Sequence, residues 1–224
     1  TRVVIIVTSD KCYENEERQT GYREDEPMGG YDPYSSSKGC AELVAAAYRK
    51  SFFNPLEFDS HGTAVASVRA GNVIGGGDWA ADRLIPDFLR ALDSGQILKI
   101  RSPKATRPWQ HVLEPLAGYL ALAERLYVDG RGFAEAWNFG PDESDARPVQ
   151  WIVEYLCSKT PETAWQCDTE PQPHEANSLR LDSSKAKSRL EWSPRWNLKT
   201  ALAMTLEWHR AWQQGSNMTG ISLQ

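Results

Sequence analysis

The sequence predicts an α/β fold organised around a parallel sheet. Val3–Val7 is an unbroken run of β-branched residues, and residues 63–69 form a second, largely apolar run. Apolar runs without polar alternation are typical of strands that are covered on both faces, as in parallel sheets. Apolar residues recur at helical spacing between and after these runs, and this alternation of strands and helices indicates the α/β class.

The first part of the chain contains a strand, a loop, a helix and a second strand. The polar residues 14–32 include Gly and Pro breakers and predict a loop after the Val3–Val7 strand. A helix is predicted over 34–53, because three serines occupy its first turn and apolar residues then recur along it. Residues 63–69 predict a buried strand, and the glycines of 71–82 predict a loop.

The second part alternates in the same way. We expect a short helix over 84–92, a small strand over 97–101 and a helix over 113–127. A strand over 136–139, a helix over 149–156 and an amphipathic helix over 198–212 complete the order.

The composition excludes several classes of protein. Lys plus Arg total 25 against 30 for Asp plus Glu, a net charge of −5, whereas a protein that neutralises nucleic-acid phosphates needs a basic surface. The longest apolar run is too short to span a membrane. The four cysteines lie far apart without a CxxC pair, which argues against a zinc site or a disulfide framework and favours a cytoplasmic location: Cys12, Cys40, Cys157 and Cys167.

The first residues of the sequence also lead to an expectation about the length of the whole protein. The sequence has no initiator Met, and the strand predicted at Val3–Val7 comes first, although a strand buried on both faces needs neighbours. We therefore expect the chain to be a part of a longer protein.

Tyr34 and Lys38 are the first candidates for chemistry. They stand four residues apart at the start of a predicted helix, so both project from one face. An ammonium within about 4–6 Å of a phenol favours the phenolate, and such a tyrosine can exchange a proton with a hydroxyl that becomes a carbonyl. The spacing alone is equally compatible with a chance pair on a solvated face.

The residues after the first strand are the second candidates. Ligands of open parallel sheets bind at the carboxyl ends of strands, and Thr8, Asp10 and Lys11 follow the Val3–Val7 strand. They can supply an orienting hydroxyl, an acid and a base. The alternative interpretation is a capped turn followed by a solvated lysine.

Long stretches of the sequence resemble the extended short-chain dehydrogenase/reductase superfamily and, within it, the CDP-glucose 4,6-dehydratases. The resemblance covers the chain from end to end. It is carried by VTSDKCYEN (7–15), GYRE (21–24), DPYSSSKGCAELV (32–44), VRAGNVIGGGDWAADRLIPD (68–87), ATRPWQHVLEPLAGYLALAE (105–124), WNFGP (137–141), HEA (174–176) and LRLDSSKA (179–186). The stretches GNVIGGGDW and RPWQHVLEPL are the most specific of these.

The resemblance implies the carboxy-terminal portion of an NAD(P)-binding, Rossmann-type doubly wound sheet with a smaller mixed α/β substrate lobe. Residues 1–70 would be the remainder of the NAD-binding domain. Residues 71–224 would form mainly the nucleotide-sugar-binding lobe, with some segments returning to the sheet. The sequence contains no GxGxxG turn of the kind that binds a dinucleotide pyrophosphate, so about 100–130 residues of the expected sheet would lie outside it. NAD is the implied cofactor, and a dimer or tetramer is the implied assembly.

The resemblance also implies a reaction on CDP-glucose, with no metal ion. Tyr34, assisted by Lys38 and Thr8 beside the cofactor, would accept the proton of the sugar 4-hydroxyl as hydride leaves C4 for NAD. Water would then be lost across C5 and C6, with Asp10 protonating the departing 6-hydroxyl and Lys11 as the expected C5 base. Return of the hydride to C6 would give CDP-4-keto-6-deoxyglucose. Relatives that act on dTDP-glucose carry an Asp-Glu pair where this sequence has Asp10-Lys11.

Further residues are implied to bind the substrate. They are Asn72, Arg83, Leu84, Arg101, Arg107, Asn138, His174 and Arg180. Guanidinium groups suit diphosphate oxygens, although each arginine is also compatible with a surface salt bridge.

Three alternatives stay open at the level of the sequence. A nucleotide-sugar 4-epimerase would keep Tyr34 and Lys38 but would not need Asp10 and Lys11. Another sugar-nucleotide dehydratase is the second alternative. A non-catalytic binding module or fragment would be compatible with the missing glycine turn.

Overall fold

The computed structural model describes residues 1–168 and 176–223. Its strands, in chain order, are β1 (Val3–Val7), β2 (Ala64–Ala70), β3 (Asn72–Ile74), β4 (Leu98–Ile100), β5 (Thr106–His111), β6 (Ala136–Phe139), β7 (Ala146–Pro148) and β8 (Trp165–Cys167). Its helices are α1 (Pro33–Ser51), α2 (Phe58–His61), α3 (Leu84–Ser94), α4 (Leu113–Val128), α5 (Gly130–Phe133), α6 (Val149–Lys159), α7 (Ser184–Arg189), α8 (Leu198–Gln213) and α9 (Met218–Ser222). Short 3-10 helices cover Asp10–Cys12, Pro55–Glu57 and Glu143–Asp145.

The first sheet has the strand order β1-β2-β6 and is parallel throughout. In its register, Val3 pairs with Ala64, and Ala70 pairs with Phe139. Every residue of β2 is buried, as expected for a central parallel strand. Strand β1 is only half-buried and Val7 is 56 % exposed, because β2 is its only strand neighbour in the described part of the chain. Burial on both faces, which the sequence predicted for β1 and β2, is therefore complete only in β2.

Helices cover both faces of this sheet. The even-numbered residues of β2 from 64 to 68 pack in one cluster with Leu122 and Leu126 of α4. Ser67 and Arg69 point to the opposite face, since strand residues alternate, and there they bond to Glu42 of α1. This is the doubly wound α/β arrangement, so the predicted fold class is confirmed.

A second hydrophobic cluster lies beside two small sheets. One has the order β3-β5-β7, with β3 parallel and β7 antiparallel to β5, and the other pairs β4 with β8. Phe88 of α3, Ile152 of α6 and Leu202 of α8 are fully buried in this cluster. Trp137 and Phe139 of β6 belong instead to the first cluster. Segments from both sides of residue 70 therefore build the core of the first sheet.

Candidate functional site

The carboxyl end of β1 leads directly into a hydrogen-bonded turn. Ser9 caps the 3-10 helix Asp10–Cys12: its hydroxyl accepts a hydrogen bond from the Lys11 backbone N–H at 3.3 Å. The same hydroxyl donates to Asp10 Oδ1 at 3.0 Å. These bonds fix the backbone that carries Asp10 and Lys11.

The start of α1 brings a phenol to the same place. Asp32 caps this helix, accepting hydrogen bonds from the Ser35 backbone N–H at 3.0 Å and the Ser35 hydroxyl at 2.6 Å, and Pro33 occupies its first turn. Tyr34 is 53 % exposed, so its phenol is open to a ligand. The Lys38 ammonium lies 5.6 Å from the centre of the Tyr34 ring, as the one-turn spacing predicts.

One cavity of about 660 Å³ collects most of the candidate residues. Those predicted from the sequence that line it are Asp10, Lys11, Tyr34, Asn72, Arg83, Leu84, Arg101 and Arg107. Helix α1, the turn after β1, the β3 loop, the start of α3 and strand β5 thus contribute to a single surface. The volume is suited to a ligand of nucleotide-sugar size.

Asp10 has the electrostatics of a proton donor. The carboxyl is 2 % exposed, and burial raises its pKa from the ordinary value of 3.8 to about 6. The Ser9 hydrogen bond and the charges of Lys11 and Arg107 oppose this rise in pKa only in part. Asp10 Oδ2 has no hydrogen-bond partner among the described residues. Asp10 therefore combines a raised pKa with a buried carboxyl oxygen that the described part of the protein leaves without a hydrogen bond.

The Thr8 hydroxyl does not lie in the cavity beside Tyr34, where the sequence analysis expected it. The hydroxyl donates to Glu42 Oε1 at 2.5 Å and to the Val68 carbonyl oxygen at 3.2 Å, and Thr8 does not line the cavity. At this strand end, Ser9 lines the cavity instead, and the sequence analysis did not single it out. The signal was available, because neighbouring residues at a strand end point in opposite directions.

The arginines around the cavity differ in burial. Arg107 is 4 % exposed, and its Nη1 donates to the Thr106 carbonyl oxygen at 3.0 Å. Arg83 is exposed and pairs with Asp78 at 3.4 Å, and Arg101 is also exposed. Arg107 is therefore held in place by the fold, whereas Arg83 and Arg101 lie on the exposed side of the cavity.

Asn138 lies in the protein interior and does not line this cavity. Its Oδ1 accepts a hydrogen bond from the Tyr13 hydroxyl at 2.7 Å, and its Nδ2 donates to the carbonyl oxygens of Tyr22 and Asp182 at 2.8 and 3.2 Å. The side-chain amide of Asn138 is thus occupied by the fold, and its contact with substrate stays a prediction.

Arg180 and His174 are also outside the cavity's described lining. Arg180 lines a different cavity of about 690 Å³ and pairs with Glu143 at 3.5 Å. His174 lies outside the described residues.

The cavity has further polar lining that the sequence did not single out. Asp32, Asp78 and Asp82 contribute carboxylates, and Trp109 contributes an indole whose Nε1 has no partner in the described chain. Asp32 was recognisable as a residue before Pro33 at a helix start. The other contributions depend on how β3 and β5 pack, which periodicity does not reveal.

The residues that could contact a cofactor in this site are Tyr34 and Lys38, which lie side by side on α1. The sequence has no glycine turn for the pyrophosphate. Residues 1–168 and 176–223 contain no group of three or more acidic, His or Cys side chains suited to a metal ion. Within the same ranges, no helix combines the length and apolar character that a bilayer crossing requires.

Comparisons with known sequences give matches over most of the chain. The sequence model described as the NAD dependent epimerase/dehydratase family matches residues 1–138. The CDP-glucose 4,6-dehydratase of Salmonella typhimurium is 57 % identical over 218 residues, which is 97 % of this chain and 61 % of that protein. The dTDP-glucose 4,6-dehydratase of Streptomyces griseus is 26 % identical over 93 % of this chain and 60 % of that protein. The chain thus spans less than two thirds of the length of these relatives.

Solved structures share the fold. The dTDP-glucose 4,6-dehydratase of Bacillus anthracis superposes with a TM-score of 0.74 at 20 % identity, covering 95 % of this chain and 63 % of that one. The UDP-glucuronic acid 4-epimerase of Bacillus cereus gives a TM-score of 0.78 at 18 % identity, covering 94 % of this chain and 62 % of that one. A dehydratase and an epimerase match about equally well, so the fold alone does not separate the two reactions.

Proposed function

Because this chain belongs to the NAD dependent epimerase/dehydratase family, we propose that it carries the acid–base and substrate-binding residues of an NAD-dependent CDP-glucose 4,6-dehydratase. The observation that carries the proposal is the identity of 57 % with the Salmonella enzyme over nearly the whole chain, together with one cavity lined by Asp10, Lys11 and Tyr34. When bound, NAD accepts hydride from C4 of the sugar and later returns it to C6.

In this proposal Tyr34 moves the first proton. Its phenolate accepts the proton of the 4-hydroxyl while the C4–H bond is broken, leaving a 4-ketone. The side-chain nitrogens of Lys38 and Lys11 lie 5.6 and 5.9 Å from the Tyr34 ring centre.

Asp10 acts in the elimination. The 4-ketone acidifies the C5–H bond, and we assign to Lys11 both the removal of that proton and its return to C5 when hydride reaches C6. For this step the Lys11 ammonium first gives up its own proton to solvent. The C6–O bond then breaks, and the Asp10 carboxyl donates the proton with which the hydroxyl leaves as water. A pKa of about 6 keeps part of the Asp10 population protonated near neutral pH, as a general acid requires.

Arg107, Arg83 and Arg101 are proposed to bind the CDP diphosphate. Support comes from their common cavity and from the match between guanidinium forks and phosphate oxygens. The Ser9 hydroxyl is proposed to orient the sugar beside Tyr34, the role that the sequence had suggested for Thr8. Assembly as a homo-oligomer and a cytoplasmic location stay predictions.

A panel of nucleotide sugars tests the proposal. The protein that contains this chain is incubated with NAD and with CDP-glucose, UDP-glucose or dTDP-glucose, and products are identified by mass spectrometry. We expect loss of one water, fastest from CDP-glucose. A product of unchanged mass would favour the 4-epimerase, and faster turnover of another nucleotide sugar would favour a different dehydratase. No turnover of any of them would favour the non-catalytic alternative.

A further inference from the structure

Glu42 is a buried carboxylate on the helix that carries Tyr34. It is 3 % exposed and lies eight residues beyond Tyr34, on the same helix face as Tyr34 and Lys38. Burial opposes ionisation, but hydrogen bonds from Arg69, Thr8 and Ser67 outweigh it and hold the pKa of Glu42 below its ordinary value. Glu42 is therefore charged in the folded protein.

The Glu42 carboxylate joins three elements. Oε1 accepts the hydrogen bond from the Thr8 hydroxyl at 2.5 Å. Oε2 accepts from the Ser67 hydroxyl at 2.7 Å and from Arg69 Nη2 at 2.9 Å. Helix α1 is thereby tied to the end of β1 and to the central strand β2 at one point.

The hydrogen bonds of Glu42 connect the two segments that carry the candidate site residues. Thr8 directly precedes Ser9, Asp10 and Lys11, and Glu42 lies about 12 Å along the helix axis from Tyr34. One turn before Glu42, α1 touches the same segment again: a Cβ at Gly39 would lie 3.3 Å from the Cys12 carbonyl oxygen. The helix therefore approaches the turn after β1 closely, and Glu42 sets its position there.

We propose that Glu42 is a positioning residue for proton transfer by Tyr34, because it holds α1 against the end of β1 and so sets the separation of Tyr34 from Lys11 and Asp10. The proposal rests on the proposed function for the reaction concerned. A purely structural Glu42 would affect folding stability without changing the surroundings of Tyr34.

Kinetics give the first test. In the protein that contains this chain, Glu42→Gln should lower kcat about 10- to 100-fold, since misplacement by about 1 Å costs on the order of 10²-fold. KM for CDP-glucose should not change, and the deuterium isotope effect at C4 should rise, because the step that Tyr34 serves becomes more rate-limiting. The exposed Glu124→Gln on α4 is the matched control and should behave as wild type. A rise in KM with unchanged kcat would overturn the proposal.

A second test does not depend on turnover. NMR of protein labelled at tyrosine Cζ, with Tyr34 assigned through Tyr34→Phe, reports the ionisation midpoint of that phenol. The charged groups around it are Lys38 on α1, Asp32 at its cap, and Asp10 and Lys11 on the 3-10 helix. Glu42→Gln should raise the midpoint because Lys11 moves away, whereas simple loss of a negative charge would lower it. Lys11→Met should raise the Tyr34 midpoint as well. Combining Glu42→Gln with Lys11→Met should raise it little beyond the value of Lys11→Met alone.

Thr8→Val is the milder variant if Glu42→Gln does not fold. It removes only the hydroxyl that Glu42 accepts and should raise the Tyr34 midpoint, whereas Thr8→Ser should restore the wild-type value. An unchanged or lowered midpoint in folded Glu42→Gln or Thr8→Val would overturn the positioning role. Absence of CDP-glucose turnover in the wild type would instead refute the proposed function, and the titration would still decide the role of Glu42.

Discussion

The Lys11 ammonium lies 5.9 Å from the centre of the Tyr34 ring, although the two residues belong to different elements. Lys11 is held by the turn that Ser9 caps after β1, and Tyr34 by the Asp32 cap of α1. Lys38 approaches the same ring at 5.6 Å. Two lysines from different elements thus approach one phenol, and Lys11 and Tyr34 line the same cavity.

Replacing Tyr34 with Phe removes the proton acceptor but leaves the ring. We expect turnover of CDP-glucose to fall about 10²- to 10⁴-fold, the usual contribution of general acid–base catalysis. Binding of CDP-glucose, measured by calorimetry, should be nearly unchanged, because the phenol acts in the transition state. A variant that kept more than about a tenth of wild-type activity would exclude Tyr34 as the base.

Asp10→Asn should interrupt the reaction later than Tyr34→Phe does. The amide retains the size of the carboxyl but cannot donate the proton needed at C6. On addition of CDP-glucose, NADH absorbance should therefore accumulate while formation of the 4-keto-6-deoxy product stalls. If no NADH signal appeared in a folded variant, Asp10 would belong to the oxidation step and the division of roles would be wrong.

The same substitution should stabilise the fold at neutral pH. Burial raises the pKa of Asp10 from 3.8 to about 6, so the folded state holds the proton more tightly than the unfolded chain between these values. Its contribution to stability therefore falls as the pH rises through this window and stays low above it. Asp10→Asn should gain up to about 3 kcal/mol at pH 7 and nearly nothing below about pH 4. Urea unfolding at both pH values measures this, and a less stable variant at neutral pH would contradict it.

Arg107→Gln should weaken substrate binding. Arg107 is buried in the cavity wall, and a hydrogen bond to a charged group is worth about 1.5–3 kcal/mol, so affinity for CDP-glucose should fall about 10- to 100-fold. Arg125→Gln is the control, because Arg125 is exposed on α4 and does not line the cavity. Equal losses in both variants would argue against a specific diphosphate contact.

The elements with strong hydrophobic patterns could be predicted from the sequence. Strand β6 has the predicted bounds, and α1, β2, α4 and α8 lie within a few residues of theirs. Each of these helices buries one stripe of side chains, and each of these strands is buried along most of its length. The spacing of their apolar residues therefore follows directly from their burial. The pairing of Tyr34 with Lys38 was predictable for the same reason, since one helical turn separates them.

Strand β5 could not be predicted in this way. It contains Pro108, which lacks an N–H donor and usually excludes a central strand, yet β5 lies between β3 and β7. The pairing depends on partners from distant parts of the sequence. The short β3 inside the glycine-rich loop was missed for the same reason.

The polar network around Glu42 could likewise not be predicted from the sequence. Thr8 and Asn138 resemble ligand-binding residues in sequence, but their side chains are used by Glu42 and by Tyr13 in the interior. A hydroxyl or amide next to a strand end serves a ligand or the fold depending on which face it points to. Only the packing of α1 against β1 and β2 decides between these two uses.

Isotope transfer tests the central claim most directly. The protein that contains this chain is supplied with NAD and with CDP-glucose deuterated at C4, and the position of the label in the product is read by NMR. A 4,6-dehydratase in which Tyr34 and Asp10 act as proposed should deliver the deuterium to C6 of CDP-4-keto-6-deoxyglucose. Deuterium retained at C4 of the C4 epimer of CDP-glucose, without loss of water, would identify an epimerase and contradict the account.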